Sequence, residues 1–339
     1  RTRELTRAAM SDLLGGVDPR GHAIADATDA ALLGALAIAG REEAERWGSK
    51  RAHVTFVAMG RYGGRECSYA SDADVIALHE AVGGASDSEA AASATAIVNR
   101  VKKLLGSATS QLGIVVDLDL RPEGKNGPMS RTIASHEEYA QRWASTWERQ
   151  AAVRARPIGS SDLDERARAL FESMAYREVS ESEVRDIRLL KARMENERLP
   201  RGSEPARHVK LGPGGLSDVE WTIQLIQMRH GARLPALRTP STTQAIAVAR
   251  DAGLLAAPDA EILLNAWDLA TRIRAGNTLA TGRMSGVKLD VVPRDSAELS
   301  ALAAILGYGS GGLTALEEDW LRAARQARNV MERAFWEQQ

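Results

Sequence analysis

Residues 54–79 read VTFVAMGRYGGRECSYASDADVIALH, and this stretch decides the fold. The apolar, β-branched run 54–59 predicts a buried strand. A glycine-dense turn follows (Gly60, Gly63, Gly64), and Ser71-Asp72-Ala73-Asp74 leads into a second apolar run at 75–78. Residues two apart in a strand share a face, so Asp72 and Asp74 should project together while Ala73 and Val75 turn toward a core. Two carboxylates side by side on a rigid strand repel each other unless a cation lies between them. Hard oxygen ligands of this kind suit Mg²⁺, which is commonly held by one or two carboxylates plus substrate phosphates. The upstream glycines would let backbone N–H groups approach those phosphates. The stretch predicts a metal–nucleotide site.

An Asp-x-Asp pair alone is a common feature of solvated turns. A second acidic segment, GIVVDLDLR at 113–121, gives this one more weight. Read as a strand, it puts Ile114, Val116, Leu118 and Leu120 on one face and Val115, Asp117, Asp119 and Arg121 on the other. A third carboxylate on a neighbouring strand can complete a two-metal site. The segments 53–59, 73–79 and 114–121 are therefore expected side by side in one sheet.

Composition bounds the function. The chain has 339 residues, room for two ordinary domains, and its net charge of −1 gives no general polyanion binder. No nucleic-acid partner is expected. A single cysteine, Cys67, excludes an internal disulfide framework and is compatible with a reducing cytosol. It reads as a small filler in the glycine turn. No apolar run in the sequence approaches the ~20 residues needed to span a bilayer, so a cytoplasmic protein with no membrane partner is expected.

Around this centre, 4–47 reads as helices with a break at 15–19, and Ile24, Ala27, Ala31, Ala35 and Ile38 form a packing stripe. A helix is expected over 89–106. The segment 121–128 is turn-rich and basic, either a surface loop or one that reaches a triphosphate. From Ser135 on the pattern is helical. Ser135/Glu138, Ser180/Glu183, Ser217/Glu220 and Thr314/Glu317 have capping-box spacing, and Gly253, Gly282 and Gly307 suit helix C-termini. Two stripes read as core seams: Tyr139, Trp143, Trp147 and Ala151, and Leu316, Trp320, Ala324, Ala327, Met331 and Phe335. The G-x-G-x-x-G at 307–312 follows no strand and is dismissed as a dinucleotide site. The glycine loop 210–215 lacks the Walker spacing; it is a candidate ATP-side or partner-side loop. Arg185, Arg188, Lys191, Arg193, Arg198 and Arg201 read first as a solvated helix face, with contact to the target protein or the triphosphate as the alternative. The fold class is α+β, with a small mixed sheet in domain 1–158 and a helical bundle in domain 159–339.

The signature AMGRYGGRECSYASDADVIAL resembles that of nucleotidyltransferases with a DNA polymerase β-like fold. More narrowly, GRYGGRE, SDAD, VDLDLRPEGKNGP, TWERQAAVRAR and KLGPGGLSDVEW, in that order, resemble glutamine synthetase adenylyltransferase, a bifunctional enzyme with two related catalytic halves. The block TWERQAAVRAR is more similar to the adenylylating half, and ERLPRG and EGKNGP look like the actinobacterial branch. The resemblance implies a fragment of a longer enzyme that moves AMP from ATP to a tyrosine of glutamine synthetase. It implies two Mg²⁺ on Asp72, Asp74 and Asp117, and nucleotide contacts from Gly60, Arg61, Gly63, Gly64, Ser71 and Arg121. Glutamine and a PII-type signalling protein are the implied regulators. The sequence departs from pattern at two positions. Arg61 stands where the wider superfamily has a small residue, and Asp119 stands where the family is usually not acidic. Two alternatives stay open: phosphorolytic removal of AMP from the modified synthetase, and a degenerate domain serving as an interaction module.

Overall fold

The two apolar runs pair with each other. In this computed structural model, which describes residues 2–14, 20–106, 113–309 and 312–337, β1 (Ala52–Ala58) and β2 (Ala73–Ala81) run antiparallel, from Ala52 opposite Ala81 to Ala58 opposite Val75. On the other edge of β2 lie two short parallel strands, β3 (Val116–Asp117) and β4 (Ser130–Arg131); β5 (Arg156–Pro157) pairs antiparallel with β1. The five-stranded mixed sheet has the order β3-β2-β1-β5, with β4 also on β2. The three expected strands are thus neighbours.

The acidic strand is far shorter than its alternation predicts. Ile114, Val116 and Leu118 are buried as expected. The ladder ends after Asp117, however, because its Oδ1 accepts the Asp119 N–H at 2.7 Å and the Arg121 N–H donates to Leu118 O at 3.0 Å. An Asp side chain that bonds the backbone two residues on makes a turn in place of a strand.

Both faces of the central strands are covered: Val54, Phe56 and Ala58 are buried, and so are Thr55 and Val57. Helix α1 (Thr2–Leu13) opens the chain and α2 (Arg20–Trp47) follows. The break expected at 15–19 lies outside the described residues. After the four-residue turn α3 (Gly60–Gly63), α4 (Asp87–Leu105) packs on β1 and β2 and carries α2 on its far side. By length and composition α2 is apolar enough to cross a bilayer, which the sequence reading did not expect. Yet Ile24, Ala25, Leu32 and Ala39 are buried within this unit, and α2 serves as a core helix. Helices α5 (Ile133–Arg142), α6 (Thr146–Ala152) and α7 (Asp162–Ala175) complete the group, with α7 on β1, β2 and β5.

One expected seam fails. Trp143 is 62% exposed and Trp147 40% exposed. Helix α5 stops at Arg142 and a new helix starts at Thr146, so the register that would align the two tryptophans is broken between them.

The chain divides into two compact units, Arg1–Thr6 with Pro19–Cys67 and Ser71–Ala175, and Arg7–Asp18 with Ser68–Ala70 and Tyr176–Gln339. The division falls after α7, where the sequence reading put it after residue 158. The second unit holds α8 (Glu181–Glu197), α9 (Leu216–His230), α10 (Thr242–Asp251), α11 (Ala257–Thr281), α12 (Ser296–Ile305) and α13 (Gly312–Met331). The stripe Leu316, Trp320, Ala324, Ala327, Met331 and Phe335 is buried there as expected. Gly282 caps α11 with φ +68°, and Gly253 and Gly307 follow α10 and α12 with φ +70° and +84°.

The glycine loop 210–215 is built into this unit. A Cβ on Gly212 would lie 2.0 Å from Pro205 O, and one on Gly214 would lie 1.8 Å from Ala324 O. The Gly214 N–H donates to Asp218 Oδ2 at 2.7 Å. Asp218 is itself buried and accepts from Lys191 Nζ at 2.5 Å and from Arg328 at 3.2 Å. Lys191 thus leaves the solvated run in which it was read: it is a core cation.

Candidate functional site

Asp74 and Asp117 are cross-strand partners in the parallel β2–β3 pair. Neighbouring strands lie about 4.8 Å apart and paired residues share a face, so the two carboxylates start from adjacent backbone positions on one side of the sheet. The adjacent rung pairs Ala73 with Val116, both buried on the opposite side of the sheet. Asp72, two residues before Asp74, is exposed, while Asp74 and Asp117 are half-buried. Among the described residues no three His, Cys, Asp or Glu side chains converge as a ready-made metal cage. A pair of aspartates on adjacent strands is nonetheless the donor set Mg²⁺ takes when phosphate oxygens supply the remaining ligands, so the residues present fit the ion.

The glycine turn sits against this pair. The Met59 N–H donates to Asp74 O at 2.9 Å, and Gly60 adopts φ +54°. A Cβ at Gly60 would lie 3.0 Å from Asp74 Oδ2. Glycine is needed at that position both for its backbone angle and for the approach to the carboxylate. Gly63 and Gly64 have a different use. Their N–H groups close the helical turn, donating to Met59 O at 2.8 Å and Gly60 O at 3.2 Å. A Cβ on Gly63 would lie 1.8 Å from Arg154 O, so the missing side chain admits another backbone segment. Arg61 is half-buried in the turn, and Ser71 is half-buried just ahead of Asp72. Arg121 is buried and closes on its own loop, donating to Leu118 O at 2.9 Å and Gly127 O at 3.3 Å. Asp119 lies outside the sheet and pairs with Lys125 at 3.3 Å.

Five residues that the sequence reading missed brace the turn. Arg154 donates through Nε to Gly60 O at 3.0 Å and pairs with buried Glu66 at 2.6 Å. Arg156 donates through Nε to Gly63 O at 3.1 Å and grips both oxygens of Asp29 on α2, at 2.8 and 3.0 Å. The Tyr62 hydroxyl donates to the same carboxylate at 2.5 Å, with the Arg156 guanidinium 5.4 Å from its ring. Burial, and then the Asp29 charge, push the Tyr62 hydroxyl far above the ordinary tyrosine range. Burial likewise pushes the Cys67 thiol up to about 12, so it remains protonated, a filler as expected. Two signals could have found the braces: an acid, Asp29, within the apolar first half of α2, and two arginines spaced by two just after α6.

Comparison with known proteins adds the family. Residues 1–171 match the family model described as glutamate-ammonia ligase adenylyltransferase, and residues 188–335 match one described as PII-uridylyltransferase. Three relatives carry the name bifunctional glutamine synthetase adenylyltransferase/adenylyl-removing enzyme. One, from Streptomyces coelicolor, is 42% identical over 99% of this chain and 35% of its own length. A second, from Streptomyces avermitilis, is 44% identical over 98% and 32%. The third, from Leifsonia xyli subsp. xyli, is 41% identical over 99% and 33%. The chain spans about a third of the length of the curated relatives it matches.

Proposed function

Because the chain belongs to the glutamate-ammonia ligase adenylyltransferase family, we propose that its first unit transfers AMP from ATP to a tyrosine hydroxyl of glutamine synthetase, releasing pyrophosphate. The observation that carries this reading is the Asp74–Asp117 pairing with the Gly60 backbone set against Asp74. Asp72, Asp74 and Asp117 are the residues to hold two Mg²⁺. Bound there, the ions supply charge neutralisation for the triphosphate and Lewis-acid stabilisation of the leaving pyrophosphate. The protein's own part is positioning. Gly60, set against Asp74, and Arg61 and Ser71, next in sequence to Gly60 and Asp72, are proposed to contact the nucleotide. Gly63 acts indirectly by admitting the Arg154 segment, Gly64 by closing the turn onto Gly60 O, and Arg121 by shaping the loop after Asp117. A free tyrosine has a pKa near 10 and is a poor nucleophile at neutral pH. Asp117 is assigned to ligate the catalytic ion and to help take up the tyrosine's proton, its carboxylate being oriented by the Asp119 N–H.

A PII-type protein as regulator is supported by the match of 188–335 to a PII-uridylyltransferase model. Glutamine as effector and a cytosolic location remain part of the proposal. A second reading, phosphorolytic removal of AMP, is supported by the bifunctional name of the relatives. One experiment separates the two: labelled ATP, Mg²⁺ and unmodified glutamine synthetase in one tube, adenylylated synthetase, phosphate and Mg²⁺ in the other. Label on the synthetase is expected in the first and no ADP in the second; the reverse result would assign the removal activity. Asp72→Asn and Asp117→Asn should each lower transfer by at least about 100-fold, with the melting temperature near that of the parent, because removing one like charge relieves repulsion. Asp119→Asn is the control and should remain within a few-fold of the parent, its exposed ion pair being worth about 0–1 kcal/mol.

A further inference from the structure

Arg154, in the turn that closes α6, and Arg156, at the start of β5, stand two apart in the chain, each donating its Nε to a carbonyl of the Gly60–Gly63 turn. Neither is placed to meet a nucleotide: Arg154 is 3% exposed, and Arg156 is clasped by Asp29 and packed on Tyr62. What they fix is the turn itself. Gly60 O is held by Arg154, and Gly60, at φ +54°, faces the Asp74 carboxylate so that a Cβ there would crowd Oδ2 at 3.0 Å. Gly63 O is held by Arg156, while Gly63 packs face to face on the Arg154 backbone. Both carbonyls belong to the element that carries the proposed nucleotide contacts, and both braces end on buried or half-buried acids, Glu66 and Asp29. We propose that Arg154 and Arg156 are positioning residues for this site, clamping the glycine turn against Asp74 so that the carboxylate and the turn meet the metal–triphosphate in one fixed arrangement.

This proposal rests on the nucleotidyl-transfer reading for its binding consequence, but the clamp can be measured without it. Arg154→Lys keeps a cation for Glu66 but has no Nε to hold Gly60 O, because lysine is a single point donor where arginine is a fork. Glu66→Gln is the opposite case: it removes the charge pairing and leaves the Nε bond. Two readouts are taken on the whole chain. The first is amide hydrogen exchange at 63–66, whose N–H groups close the turn onto Met59, Gly60, Tyr62 and Arg61. The second is affinity for the α,β-methylene analogue of ATP with Mg²⁺, by calorimetry. In Arg154→Lys, exchange at 63–66 should quicken by about tenfold while the β1–β2 ladder stays as in the parent. Analogue binding should weaken by about tenfold, the scale on which supporting contacts act at metal sites. Glu66→Gln should lie close to the parent in both.

The proposal is overturned if Arg154→Lys changes neither readout. It is also overturned if the ladder amides loosen together with the turn, since Arg154 is then a general core brace. Glu66→Gln matching Arg154→Lys would overturn the assignment to the Gly60 bond. Should Arg154→Lys not fold, Arg156→Lys, which cuts the bond to Gly63 O, is read in the same way. A parent chain that fails to bind the analogue sinks the nucleotidyl-transfer reading, and the exchange arm alone then decides the clamp.

Discussion

His136 shows how much one residue's surroundings set its chemistry. It sits in α5, 2% exposed, edge-on to the Phe171 ring at 5.2 Å and to Tyr139 at 6.5 Å. Burial, and then the nearby Arg131 charge, lower its pKa from 6.5 to about 4. Between those values the unfolded chain binds a proton that the folded chain does not, so stability falls as pH drops through that window. The full effect is on the order of 3 kcal/mol at the acid end, at 1.36 kcal/mol per pKa unit. Denaturant unfolding of the parent and of His136→Phe at pH values across the window should show the parent losing more; parallel curves would refute the assignment. A neutral, buried imidazole is a packing residue here. Asp119 carries a similar lesson: it shares the strand alternation of Asp117 in sequence, but its own backbone N–H ends the strand.

At the scale of elements, the second unit is tied by a buried charge network that joins α8, α9 and α13. Lys191 meets Asp218 and Glu195 at 2.5 and 3.1 Å, and Arg328 meets Glu195 at 2.7 Å. Removing one partner of such a network leaves the other buried and uncompensated, a cost of about 3–5 kcal/mol. Asp218→Asn should therefore lower the melting temperature sharply yet leave affinity for Mg²⁺ and the ATP analogue unchanged. A loss of affinity at unchanged stability would return the loop 210–215 to the nucleotide site. Sequence made some of these elements easy to read and hid others. The two central strands were legible as apolar runs because both of their faces are buried, and the C-terminal glycines because α-helix ends often take φ > 0. Ser180 with Glu183 forms the expected capping box. Ser135 and Ser217 fall inside helices whose N-caps are Thr132 and Gly215, since the same spacing also recurs within a helix. The boxed start at Ser86 passed unread. Arg154 with Glu66 and Arg156 with Asp29 pair across 88 and 127 residues, and no local pattern reports such partners.

For the molecule as a whole, the family match ends at residue 171 and the second match begins at 188, on either side of the division between Ala175 and Tyr176. Its net charge of −1 provides no field to draw in a tetra-anionic nucleotide. Under the proposed function, affinity for ATP would come chiefly from ions held locally, and it should depend on Mg²⁺ far more steeply than on ionic strength. A calorimetric series should show binding nearly lost on chelation but changed only a few-fold between about 50 and 200 mM salt, a range over which screening acts mainly on exposed, separated charges. Strong binding without Mg²⁺ would contradict this. Asp117 hangs from a strand of two residues, shared with Val116, with Asp74 opposite it and Val115 exposed just before the strand. Such a ladder has almost no grip of its own, and the carboxylate's side is set by counting from the buried anchors Ile114 and Leu118. The site is thus sensitive to parity. One residue inserted between Ile114 and Asp117 would turn the carboxylate into the face Val116 now fills, while two would bring it back out one step further along the edge.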